Sequence, residues 1–137
     1  MKMTKFGNQL LLLLIGFMPL ISFSQQDPPV PKEEVFHIVE TMPEYPGGPE
    51  AMIKFIQQNI QYPDSARNEG IQGKVYVNFV VDSSGNITNV KILRGVHETL
   101  DKESIRVVKS MPKWKPGTQK GKPVRVSYNL PISFRID

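Results

Sequence analysis

The sequence predicts a small α+β domain: an antiparallel sheet of about three strands, with two main helices packed on one face. Two observations carry this. Val75, Val77, Phe79 and Val81 alternate with Lys74, Tyr76, Asn78 and Val80, and the run from Val124 to Ile136 alternates in the same way. A period of two marks strands with one buried and one wet face. Apolar residues also recur at helical spacing over Pro49 to Ile60 and over Glu98 to Met111. The order helix, strand, strand, helix, strand is that of a layered α+β fold.

The first helix opens at Pro49, where a missing N–H costs nothing, and Glu50 suits the N-terminal dipole. Met52, Ile53, Phe55, Ile56 and Ile60 form its apolar side. Gln61-Tyr62-Pro63 breaks it, and Pro63 to Gly70 reads as a short second helix, with proline at its start and glycine just past its end. The strand Lys74–Val81 ends in a turn at Asp82 to Asn86, where Gly85 is free to take positive φ. Ile87 to Arg94 returns as a strand with Val90 and Ile92 inward. The helix from Glu98 to Met111 carries acids in its early turns, Lys109 near its end and Pro112 as its stop. His97, just before it, reads as a capping or turn residue. Trp114 and Phe79 read as core, and a Pro116-Gly117 turn leads into a polar loop before the last strand.

Residues 1–24 read as an address. Lys2 and Lys5 precede an apolar run from Leu10 to Phe23, then a small-x-small stretch at Ser22-Phe23-Ser24 and polar Gln25-Gln26. That order is a cleavable secretory signal. A short anchor is the alternative, although fourteen helical residues reach only about 21 Å of a roughly 30 Å hydrocarbon core and Pro19 interrupts them. No cysteine stands at the cleavage point for lipid attachment. The mature 113 residues suffice for one core. Residues 25–48 read as a Pro/Gly-rich linker, with a short edge strand conceivable at Val35 to Val39, and residues 49–137 as the domain.

Removing Lys2 and Lys5 lowers the formal charge of +4 by two, to +2, too little to suggest nucleic acid. Asp27 to Glu50 is acidic and Lys102 to Arg125 basic, a polarity suited either to a solvated surface or to an acidic partner. His37 and His97 lie far apart, so no metal site is expected. Glu98 and Asp101 are explained by the helix dipole without catalysis, and no nucleophile elbow or phosphate loop occurs. Neither an enzyme nor a cofactor is expected.

Pro131 places the last strand at an edge, because proline lacks the ladder donor. Arg125, Ser127, Asn129, Ser133 and Arg135 share its side and aim their backbone groups outward. An edge of this kind is either protected against aggregation or used to add a partner strand, and it also admits a strand-exchanged homodimer.

Read together, Gln61-Tyr62-Pro63, Ala66, Gly70-Ile-Gln-Gly73-Lys-Val75, Val77, Phe79, Val81-Asp82, Gly85, Ile87, Val90, Leu100-Asp101, Met111-Pro-Lys-Trp114-Lys-Pro116-Gly117 and Pro123 to Arg135 resemble the C-terminal domain of TonB energy transducers. Met42-Pro-Glu-Tyr-Pro-Gly-Gly48 resembles the variant of Bacteroidetes-type transducers. The resemblance covers about Gln61 to Asp137. It implies a periplasmic domain of a Gram-negative bacterium that captures the TonB box, an extended segment of a TonB-dependent outer-membrane receptor, beside the last strand. Inner-membrane proton flow is then transmitted as a pull, through motor proteins that require a retained N-terminus. Carried over, the partner contacts are Gln61, Tyr62, Pro63, Arg125, Ser127, Asn129, Ser133 and Arg135. If residues 1–24 are cleaved, the chain is instead a soluble adaptor or competitor that binds without pulling.

Overall fold

The computed structural model describes residues 34–137, so the signal or anchor expected over residues 1–24 lies outside them. Strands β1 (Val35–Phe36), β2 (Gly73–Val81), β3 (Ile87–Arg94), β4 (Gly117–Gln119) and β5 (Lys122–Phe134) alternate with helices α1 (Pro49–Asn59), α2 (Asp64–Asn68) and α3 (Glu98–Lys109). The sheet runs β1-β5-β2-β3, with β4 paired to the start of β5. Three long antiparallel strands thus form its body, as expected, and two short ones enlarge it to five.

β5 carries the sheet. It pairs with β2 over nine positions, from Val81 opposite Val126 to Gly73 opposite Phe134. Its inward residues Val126, Leu130, Ile132 and Phe134 are buried beside Val75, Val77, Phe79 and Val81. Burying each such side chain contributes about 1.5–3 kcal/mol, so this one contact layer dominates the stability of the domain.

All three helices cover that inner face. Met52 of α1, Ala66 of α2 and Leu100 and Val108 of α3 join the strand residues in one core. α1 begins at Pro49 behind Gly48, whose φ of 89° only glycine adopts without strain. α3 begins at His97, whose Nδ1 accepts a hydrogen bond from the Thr99 N–H at 3.3 Å, the capping role its position suggested. Ser104, the buried polar residue of that helix, donates its hydroxyl to the Leu100 carbonyl at 2.8 Å.

Trp114 is buried, as its place in the sequence predicts, and packs edge-on to Phe79, Tyr128 and Tyr45. The backbone N–H of Trp114 donates to the Gly85 carbonyl at 2.9 Å, which ties the β2–β3 turn to the core. Asp82 organises that turn by accepting the Ser84 and Asn86 N–H groups, both at 2.9 Å.

Residues 34–48, the part of the expected linker that lies among the described residues, belong to the same unit as the rest of the domain. Val39 and Tyr45 are buried. Thr41 bridges to Thr118 and Glu44 to Lys115 through paired backbone hydrogen bonds of 2.8–3.2 Å. Pro43, Pro46, Gly47 and Gly48 therefore belong to a packed lead-in. The sequence also missed β4, a three-residue strand whose hairpin turns on Lys120 and Gly121, both at positive φ.

Candidate functional site

Two strands contend for the outer side of β5. β4 pairs with Lys122 to Val124, and β1 runs parallel beside Arg125 and Val126. From Ser127 to Phe134, β5 has β2 on one side and, among the described residues, no strand on the other. Pro131 sits opposite Tyr76 in the middle of this stretch. Alternate residues of an antiparallel strand direct their backbone groups to opposite neighbours. A proline is tolerated only where β2 needs no donor, so Ser127, Asn129 and Ser133 direct their N–H and C=O groups outward.

The side chains of Ser127 and Asn129 do not line that free edge. Both turn back over the outer face, where the Asn78 amide donates to Ser127 Oγ at 2.8 Å and to Asn129 Oδ1 at 2.7 Å. The edge therefore offers main chain more than side chain. Arg125 lies where β1 already pairs, opposite Val35, and so falls outside the open stretch that the sequence assigned to it. Ser133 is exposed opposite Lys74, and Arg135 is exposed just past the end of β5.

Gln61, Tyr62 and Pro63 meet the far end of the same strand. The Tyr62 ring stands edge-on to Phe134, with centroids 5.7 Å apart, and its hydroxyl donates to the Ile71 carbonyl. The Arg67 guanidinium lies over that ring at 4.7 Å. Tyr62 is thus a packing residue, and Tyr62→Asp would loosen the end of β5 as well as any docking there. Pro63 caps α2.

Gln61 is held from below. Its N–H donates to Glu103 Oε2 at 2.6 Å, and Arg106 grips Glu103 with two hydrogen bonds of 2.7 Å. Arg106 also donates to the Asn59 carbonyl at 2.7 Å, so one ion pair on α3 anchors the exit of α1. Gln61, Glu103 and Arg106, with Thr99, Lys102 and Asp64, line an open groove of about 490 Å³. Nothing in the sequence pattern singles out Glu103 and Arg106 beyond their spacing of three on a helix.

Burial pushes the Glu103 carboxyl up, but the Arg106 hydrogen bonds, the Gln61 N–H and the Arg106 charge outweigh it and hold Glu103 below the ordinary glutamate range. A carboxylate depressed by folding stabilises the domain above its unfolded value and loses that contribution as pH falls through the folded one. Thermal stability should therefore drop as pH falls below the ordinary glutamate value of about 4.3, and Glu103→Gln should flatten that part of the profile. A Glu103→Gln profile parallel to the parent's would remove Glu103 as the cause.

α1 supplies a wall that the sequence reading left out. Ile53, Ile56 and Gln57 line a groove of about 220 Å³ with Pro131, Ile132 and Ser133 of β5. Ile53 remains 52% exposed although it belongs to the apolar side of the helix. Its neighbour Met52 takes the buried place on α1, 8% exposed. The free edge is thus bordered by an apolar helix flank at its Pro131–Ser133 end.

Among the described residues no three His, Asp or Glu side chains come together as metal ligands, and no helix is long and apolar enough to cross a membrane.

The family model described as Gram-negative bacterial TonB protein C-terminal matches residues 58–136. Among solved structures, the chain is similar to the Helicobacter pylori TonB C-terminal domain determined by NMR in solution. Identity is 24%, covering 63% of this chain and 78% of that one, with a TM-score of 0.52. It also matches the Pseudomonas aeruginosa TonB C-terminal domain at 27% identity over 56% of this chain and 78% of that one, with a TM-score of 0.44. No curated protein matches.

Proposed function

Because the chain belongs to the Gram-negative bacterial TonB protein C-terminal family, we propose that it binds the TonB box of an outer-membrane receptor as a strand added beside β5, in energy-coupled transport across the outer membrane. The observation that carries this reading is the open stretch Ser127–Phe134, bordered by the Ile53–Ile56 flank of α1 and interrupted at Pro131 alone. Main-chain pairing accepts many sequences, which suits a domain serving several receptors, while the flank of α1 gives a grip on alternate side chains. The role is one of binding, with no bond made or broken. The domain works in the periplasm, and motor proteins of the inner membrane act on it when residues 10–23 are retained.

Calorimetry with a synthetic TonB-box peptide tests the edge. Ser127→Pro and Ser133→Pro each remove one outward donor and should weaken binding about tenfold, at about 1 kcal/mol for the hydrogen bond plus steric loss. Ser133→Ala, which leaves the main chain unchanged, should bind like the parent. Tyr62→Phe separates packing from hydroxyl and should retain most affinity. Parent-like affinity in both proline variants would exclude β5 as the docking strand. Intact mass of the protein from its native envelope decides the second half of the proposal: a chain beginning near Gln25 binds without pulling.

A further inference from the structure

The strands are charged with one sign. β2, β3 and β5 carry Lys74, Lys91, Arg94, Lys122 and Arg125, Arg135 follows β5 directly, and none of these segments contains an Asp or Glu. Register gathers most of these bases on one side. Lys74 lies opposite Ser133, Lys91 opposite Asn78, and Arg94 opposite Tyr76, while the intervening Val75, Val77 and Phe79 enter the core. The outer face of the sheet, away from the helices, is therefore basic.

Lys74, Lys91, Arg94 and Arg135 are exposed. The ion pairs found among the described residues, Lys102 with Glu98 and Arg106 with Glu103, belong to α3 and neutralise none of these four cations. Arg125 differs, since it faces the charge of Asp82. Apolar tips stand among the bases. Leu93 is 54% exposed and lines a shallow depression of about 240 Å³ with Lys91, Asn129 and His37. Ile38, next to His37, is 86% exposed.

We propose that this outer face docks on an anionic phospholipid surface, with Lys74, Lys91, Arg94 and Arg135 meeting headgroups and Leu93 and Ile38 entering the headgroup boundary. Charge complementarity selects an anionic partner. The exposed Leu and Ile select lipid over an acidic protein, because a fluid leaflet adjusts to the spacing of the bases and also receives apolar side chains. The free edge of β5 lies in the plane of the sheet and stays open while the face is docked, so the two activities are separable.

The test is flotation of the full chain with vesicles of equal parts phosphatidylglycerol and phosphatidylcholine, against vesicles of phosphatidylcholine alone. The ratio between the two cancels any insertion by residues 10–23. Each base near such a surface is worth roughly a fivefold gain in partitioning. The combined Lys91→Glu and Arg94→Glu variant should lose at least tenfold of the ratio while binding the TonB-box peptide like the parent. Lys91→Gln with Arg94→Gln should lose less, and raising salt well above 0.1 M should erode the parent's preference. Equal partitioning onto both vesicles, or an unchanged ratio in the charge-reversed chain, overturns the proposal. So does failure to bind anionic vesicles, which would leave this face to an acidic protein.

Discussion

Val126→Asp should abolish the cooperative thermal transition. Val126 is fully buried, faces Val81 across the sheet and Phe36 in β1, and its methyl fills the space beside Gly117, where an added Cβ would come within 2.8 Å of it. A carboxylate there has no partner and must either be buried charged or take up a proton, and each costs several kcal/mol. A domain of this size has roughly 5–15 kcal/mol in hand, and the junction of β1, β2, β4 and β5 cannot open without losing the three pairings that β5 makes there. Val126→Ala, which removes only apolar contact, should stay folded with a loss of about 2 kcal/mol. A cooperative melt in Val126→Asp would mean that the two faces of β5 are exchanged.

Gly85→Ala should lower the melting temperature by well over 10 °C. Gly85 sits at φ 89°, and a Cβ added there would lie 2.0 Å from the Trp114 carbonyl oxygen, a backbone atom that cannot swing aside. Relief requires moving Trp114, which breaks its hydrogen bond to Gly85 and disturbs its edge-on contacts with Phe79 and Tyr128. Strain and lost contacts together come to roughly 3 kcal/mol, and each kcal/mol is worth about 4–8 °C in a domain this small. Gly121→Ala is the control, since it has φ 75° but open space around it, and should cost about 1 kcal/mol. If both variants melt alike, the turn is not locked to Trp114.

The long elements were legible because their signals are local. Pro49, His97 and the alternation through β2 and β5 each act within a few residues of the structure they specify. Pro131 was equally direct, since a missing donor excludes a central place in the sheet. What escaped depended on distant partners. β4 is too short to show a period, and the pairing of β1 with Arg125 joins segments that no pattern connects. The stretch around Tyr45 has a linker's composition, yet the Thr41–Thr118 and Glu44–Lys115 bridges bind it into the fold. Of the candidate site, the backbone edge could be read from alternation and proline. The α1 flank and the Glu103–Arg106 anchor could not, because both exist only once helices are packed.

The parallel strand β1 has a mechanical meaning. It joins the domain through Val35 and Phe36 alone, against the strand proposed to hold the partner. Tension on the chain before Val35 therefore reaches these two pairings first, ahead of the bridges at Thr41 and Glu44. Peeling them frees Val35 to Ile38, roughly 13 Å of chain at about 3.3 Å each, before buried Val39 and the Glu40 hydrogen bonds to Gln119 and Lys120 hold, and bares the edge of β5 at Arg125 and Val126. If the chain transmits a pull, as proposed above, β1 yields before the core and lengthens the open edge of β5.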